Sequence, residues 1–160
     1  MTPADAEAFR ALRLDALRGE PNGFAASLAD EADLPLAWFA ERLEANWVLA
    51  SGDPLAGMVA LGFDARIKRR HAAHLWGVFV RPEARGTGLA RALVAAAVQE
   101  ARTRVDHLRL AVDAANATAI GLYRSLGFVE YGLEPAGLRR DGIETDDLLM
   151  ALDLRVSARG

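Results

Sequence analysis

A chain of 160 residues, 52% of them apolar, can bury one core of ordinary size and is too short for two, so a single domain over residues 1–160 is expected. The formal charge of −3 argues against non-specific attraction to nucleic acid or to an anionic membrane, both of which need a basic surface. With no cysteine, the chain has no disulfide, thiolate metal site or cysteine nucleophile.

The segment Met1-Thr2-Pro3-Ala4-Asp5 has neither the basic nor the apolar region of a secretory leader, and no apolar stretch reaches membrane-spanning length. A soluble cytoplasmic protein is therefore expected. Thr2 before Pro3, with Asp5 following, reads as a helix cap, a first turn and a dipole-matched acid, and Phe9, Leu12 and Leu17 then recur at helical spacing. Residues Gly19 to Asp33 mix glycine, proline, asparagine and acids and read as a long connection, after which Pro35, Leu36, Phe39 and Leu43 predict a short second helix. Strands are predicted over Trp47 to Ala50 and Leu55 to Phe63, joined by the turn Ser51-Gly52-Asp53-Pro54. The run Lys68-Arg69-Arg70 reads as a solvated turn.

His74 to Val80 is rich in β-formers and too apolar for an edge, which predicts a central strand ending before Pro82. Gly88 to Arg104 has helical periodicity and Leu108 to Val112 reads as a buried strand, so strand, helix and strand form a parallel crossover. Asn116 to Leu126 is a further helix closed by Gly127, and Phe128 to Leu133 and Leu148 to Leu154 are the last strands. The sum is a mixed α/β fold: a mostly antiparallel sheet with one parallel pair in its centre and helices on both faces. His71, His74 and His107 are the only imidazoles, and no carboxylate joins them in a metal-binding pattern, so no metal is expected.

The most informative segment is Val80-Arg81-Pro82-Glu83-Ala84-Arg85-Gly86-Thr87-Gly88-Leu89-Ala90, where a strand passes through a glycine-bearing turn into a helix. Glycine tolerates positive φ and lets backbone approach a ligand, so such a turn aims several free amides at one point. The partial positive charge of the helix N-terminus favours an anion there. The alternative is a loop that merely starts a helix. A P-loop is excluded because no Gly-Lys-Ser/Thr ending is present, and the dinucleotide fingerprint fails because Arg91 stands where its third glycine belongs.

Arg85, Gly88 and Ala90 do fill the pattern Arg/Gln, two residues, Gly, one residue, Gly/Ala. This resembles the pyrophosphate-binding motif of the GCN5-related N-acetyltransferase (GNAT) superfamily. The segment from Asn116 to Phe128, with Ala117, Tyr123, Gly127 and Phe128 at matching positions, is similar to the family's second signature. The two signatures stand in the family's order, separated by one helix and one strand.

The resemblance implies an acyl-CoA N-acyltransferase that moves acetyl from acetyl-CoA to a primary amine of a small molecule or peptide in a ternary complex. It implies that the strands flanking the crossover splay, with acetyl-CoA in the gap. The backbone of Val78, Phe79 and Val80 would meet the pantetheine arm and acetyl group. The turn Arg85, Gly86, Thr87, Gly88, Leu89, Ala90 and Arg91 would hold the pyrophosphate. Asn116 corresponds to a residue that bonds the pantetheine arm, and also reads as a helix cap. Tyr123 stands where the family often keeps the general acid for the departing thiolate. Its other reading is a buried tyrosine packing helix on sheet.

An aliphatic ammonium with a pKa near 10.4 leaves roughly one molecule in a thousand nucleophilic at neutral pH, so a base is needed. The histone-modifying branch of the family keeps a glutamate where this chain has His74, and His74 resembles one of two histidines of the arylalkylamine acetyltransferases. A histidine titrates in the right range, yet one near the start of a strand is also often structural. Trp38 and Trp76 either line an acceptor pocket or pack the core.

Family members usually begin with a strand before the first helix, and this chain opens at the helix cap. Either the start is misplaced or the strand near Trp47 is the sheet edge, whose free amides would invite a homodimer. The resemblance assigns acceptor choice to Gly19–Asp33 and Glu134–Asp147. Their acids, Glu20, Asp30, Glu31 and Asp33 with Glu134, Asp141, Glu144, Asp146 and Asp147, form either an acidic rim attracting a cationic amine or ordinary solvated loops. Two further readings stay open: an acyl-CoA-binding sensor that has lost turnover, and a protein N-terminal or lysine acetyltransferase.

Overall fold

The computed structural model describes residues 1–155. The Thr2 amide and hydroxyl both donate to Asp5 Oδ2, at 2.7 and 3.1 Å, and the 3-10 turn Pro3–Asp5 leads into helix α1, Ala6–Gly19. Within the expected connection lies one more turn of helix, α2, Leu28–Glu31, fixed by Ser27 and Asp30: the Ser27 amide donates to Asp30 Oδ2 at 2.7 Å and the Asp30 amide to Ser27 Oγ at 3.3 Å. Four residues are too few for a periodic signal, so only the cap marked it in the sequence. Helix α3 is Leu36–Ala45.

Strands β1, Asn46–Gly52, and β2, Leu55–Phe63, form the expected hairpin, followed by β3, Ala72–Val80, α4, Leu89–Arg102, β4, His107–Asp113, α5, Ala117–Ser125, β5, Val129–Arg140, and β6, Ile143–Asp153. The sheet order is β1-β2-β3-β4-β6-β5, with β3 and β4 its one parallel pair. Lys68, Arg69 and Arg70 lie exposed in the β2–β3 turn, where Arg69 pairs with Asp64 at 3.1 Å.

Each face of the sheet has its own core. On one, α4 and α5 bury Val94, Ala97 and Tyr123 against Leu75, Leu108 and Met150; on the other, α1 and α3 bury Phe9, Leu12, Phe39 and Leu43 against Met58, Ala60 and Phe79. Each large apolar side chain so buried contributes about 1.5–3 kcal/mol relative to exposure.

β1 is the outer strand on one side, so the strand near Trp47 forms that edge of the sheet, and the Met1 nitrogen donates to Val48 O there at 2.6 Å. The closing strands correct the sequence reading. They extend past Leu133 and begin before Leu148, so residues Glu134–Asp147 are the arms of a β5–β6 hairpin turning at Asp141 and Gly142. A register shift between Glu134 and Leu138, with Ala136 at φ +51, breaks the alternation that would have announced the longer strand.

Candidate active site

β3 and β4 are in register over only three pairs, Ala72–His107, Ala73–Leu108 and His74–Arg109, and then diverge. The cause is written in β3. Between the pairs Met58–Phe79 and Ala60–Trp76, Val59 of β2 faces two residues, Gly77 and Val78. Gly77 sits at φ +67, which glycine alone adopts cheaply. The extra residue reverses the alternation: Leu75 packs in the α4 core, yet Phe79, four residues on, packs in the α1–α3 core. The Arg81 amide bonds Ala56 O at 2.8 Å. Strand alternation therefore turns the backbone of Val80, and of Val78 beyond Phe79, away from β2 and into the gap.

At the head of the gap lies the turn before α4. Gly86 and Gly88 have φ of +77 and +85. Among the described residues no group accepts a hydrogen bond from the amides of Gly86, Thr87, Gly88, Leu89, Ala90 or Arg91. Six consecutive amides at a helix N-terminus, with Arg85 and Arg91 lining the same cavity, are a donor arrangement suited to an anion with several oxygens. Arg91 is held by Ser125 Oγ at 2.6 Å. Arg85 pairs with Glu20, and its Nε donates to Val80 O at 3.2 Å, so that carbonyl, one of the expected pantetheine contacts, already has a partner. Gly88→Val is expected to weaken acetyl-CoA binding at least tenfold by isothermal titration, since leaving the left-handed region costs the turn its amide alignment. Unchanged affinity would show that this turn does not hold the coenzyme.

One cavity of about 1010 Å³ joins these parts. It runs from the α4 turn, between Val78–Val80 and Leu110–Asp113, to Arg13 and Glu31 on the first helices. Because α4 and α1 lie on opposite faces of the sheet, the cavity passes through the sheet at the splay.

Tyr123 lines it, is 7% exposed and stacks edge-to-face on Phe128 at 5.8 Å. Burial pushes its phenol up to about 12, so it keeps its proton throughout the neutral range. Asn116 lines the cavity too while Oδ1 accepts from the Ala119 amide at 3.0 Å, so the capping role is real and Nδ2 is left for a ligand. His74 lines the cavity on the Trp76 side of β3; its side chain reaches solvent, but the atoms packed around it desolvate the ring and lower its pKa below the ordinary 6.5. Trp76 borders the cavity, whereas Trp38 packs edge-to-face on Phe39 at 5.0 Å and is not part of its wall.

Sequence reasoning missed the charged wall opposite Tyr123. Arg13 is 4% exposed, and its Nε and Nη2 donate to Glu31 Oε2 and Oε1 at 2.9 and 2.7 Å; Arg42 lies beside them. The signal was available: Arg13 stands between Phe9 and Ala16 at helical spacing, on the buried face of α1. Five of the nine acids read as either a rim or solvated loops are already engaged within the chain, while Asp147 lines the cavity. Glu31 is buried with Arg13, Glu20 pairs with Arg85, Glu144 with Arg139, Asp30 caps α2, and Asp146 accepts the Ala136 amide at 2.9 Å. Among the described residues no group of three or more metal-ligating side chains is assembled, and no helix is long and apolar enough to cross a membrane.

The Acetyltransferase (GNAT) family matches residues 9–128, and the chain belongs to that family. It is 34% identical over 115 residues to a mycothiol acetyltransferase of Pseudarthrobacter chlorophenolicus, covering 66% of this chain and 36% of that one. It thus spans about a third of that relative's length. Over 124 residues it is 32% identical to an L-methionine sulfoximine/L-methionine sulfone acetyltransferase of Pseudomonas aeruginosa, covering 74% of this chain and 72% of that one. Among solved structures, a ribosomal-protein-alanine N-acetyltransferase from Brucella melitensis superposes with a TM-score of 0.81 at 30% identity, covering 96% of each chain. A putative acetyltransferase from Salmonella typhimurium, solved with acetyl-CoA, gives 0.80 at 26% identity, covering 96% of this chain and 91% of that one.

Proposed function

We propose that the protein transfers acetyl from acetyl-CoA to a primary amine by direct attack within a ternary complex. The observation that carries this reading is the row of six amides from Gly86 to Arg91, without partners among the described residues and opening into the gap where β3 and β4 part. A diphosphate on those amides would direct the pantetheine arm along Val78 and Val80, past Asn116, toward Tyr123. The acceptor would enter from the α1–α3 side, and the two substrates would meet where the cavity crosses the sheet.

In this arrangement His74, directly or through a water, takes a proton from the ammonium, and the neutral amine attacks the acetyl carbonyl. As the carbon–sulfur bond breaks, Tyr123 gives its proton to the sulfur, so coenzyme A leaves as the neutral thiol, and the second proton of the attacking nitrogen passes, directly or through water, to the phenolate, leaving a neutral amide and restoring the tyrosine. The burial that keeps Tyr123 protonated keeps it competent as an acid, and the lowered pKa of His74 keeps it neutral and competent as a base. The expected test is release of thiol from acetyl-CoA with a mixed panel of amines. Binding of the coenzyme with no release above buffer for any amine would favour the sensor instead.

His74 makes a separate prediction. With its pKa lowered, kcat/KM should rise with pH through a limb centred below 6.5 and stay high above it. His74→Gln should flatten that limb, leaving only the rise that follows deprotonation of the free amine. A mutant profile that superimposes on the wild type after scaling rejects the base role.

A further inference from the structure

The end of the cavity remote from the α4 turn holds charge that the transfer chemistry leaves unused. Arg13 and Arg42 both line it, and between them stands one carboxylate, Glu31. Arg13 gives Nε and Nη2 to Glu31, and its Nη1 is buried with no acceptor among the described residues. Arg42 makes no side-chain hydrogen bond or ion pair among the described residues, and its Nε is likewise buried with no acceptor. Its guanidinium lies 4.7 Å from the Trp38 ring centre and 4.5 Å from that of Trp76, while Arg13 lies 5.0 Å from the Phe24 ring centre.

Two guanidinium groups against one carboxylate leave an excess positive charge in a desolvated place. Aromatic faces offset part of that cost, yet a buried cation ordinarily has an anionic partner. Burial, and after it the nearby Arg13, lowers the pKa of Arg42, although Glu31 opposes this. What the cluster lacks is an anion, and a planar guanidinium is matched in shape and charge by a carboxylate. The far wall of the cavity has the opposite sign: Asp113 and Asp147 face each other across β4 and β6, and Asp147 is pushed above the usual carboxylate range by burial and by Glu134 and Asp113. The cavity therefore presents cations from its helices and acids from its strands.

We propose that the acceptor is a small amino-carboxylate, of the class of free α-amino acids and their close analogues, whose carboxylate is held by Arg42 together with Arg13 while its amine faces the splay. This rests on the acetyl-transfer reading above and gives that reading its substrate class.

The test compares L-amino acids, each with its carboxamide and its decarboxylated amine, in the thiol-release assay. The free acids should show kcat/KM on the order of tenfold or more above their amides, the amount expected of a charge-assisted hydrogen-bonded pair. Arg42→Met, which keeps the apolar stem against Trp38 and Trp76, should abolish that preference through KM, and Arg42→Lys should restore part of it. Circular dichroism and the melting temperature check that both variants fold. A second readout is independent of turnover: N-acetyl amino acids should quench tryptophan fluorescence saturably in the wild type and at least tenfold more weakly in Arg42→Met. Thiol release with amides used as well as acids, or a preference that survives Arg42→Met, overturns the inference and leaves the transferase reading standing. Arg42-dependent binding of N-acetyl amino acids with no thiol release from any amine supports the carboxylate site and removes the transferase reading. Absence of both the preference and the binding overturns the inference.

Discussion

Tyr123→Phe is expected to lower kcat by roughly 10²-fold, the ordinary worth of a positioned proton donor, while acetyl-CoA affinity and the fold stay as they are. The substitution removes one hydroxyl from a ring that is 7% exposed and keeps its edge-to-face contact with Phe128. The ring faces the cavity and packs on Phe128, and among the described residues Tyr123 enters hydrogen bonds only through its backbone, so loss of the hydroxyl leaves no protein group unpaired. The departing thiolate, by contrast, would have no proton donor at the place where it forms. Single-turnover kinetics isolate this step from product release, and wild-type turnover in the mutant would remove the acid role. A stability signature accompanies it. The folded-state phenol pKa of about 12 lies above the ordinary 10.0, so the contribution of the buried neutral tyrosine is complete below pH 10 and is lost as pH rises through 12. Tyr123→Phe should lack that alkaline loss in pH-dependent urea unfolding.

Glu31→Ala is expected to cost about 3–5 kcal/mol of stability, the usual consequence of removing one partner from a buried ion pair. For a chain of this size that is a fall in melting temperature of roughly 10 °C. The loss would come from three effects acting together. Arg13 is left with its two hydrogen bonds at 2.9 and 2.7 Å unmade, Arg42 loses the one nearby charge that favours its ionised form, and α2, which Glu31 ends, loses its tie to α1. The double substitution Arg13→Met with Glu31→Leu should recover much of the loss, because a packed apolar pair carries no unpaired charge. Equal instability of single and double variants would show that the cost lies in packing volume and not in charge.

Much of the molecule was legible before any coordinate. The periodicity of α1, α4 and α5, the β-rich run ending before Pro82, and the glycines before α4 depend on local rules of spacing and φ, which act within a few residues. Thr2, Asn116 and Gly127 marked helix ends for the same reason. The family signatures were legible because the turn and the helix they occupy are each contiguous in sequence.

What the sequence determined by itself was therefore the parts list, their order and the glycine turn before α4. Tertiary structure alone decided how those parts meet. The Gly77 bulge is invisible as a pattern because it is defined against Val59 on another strand. The full reach of β5 and β6 depended on each other's backbone for pairing, across a register shift that erased the alternation. Most of all, Arg13, Glu31 and Arg42 come from three separate helices, and nothing local distinguishes a buried arginine from one on the surface. Charge in a protein has its chemistry set by its surroundings: by how much water is excluded and which opposite charge stands within reach, and both are properties of the packed chain.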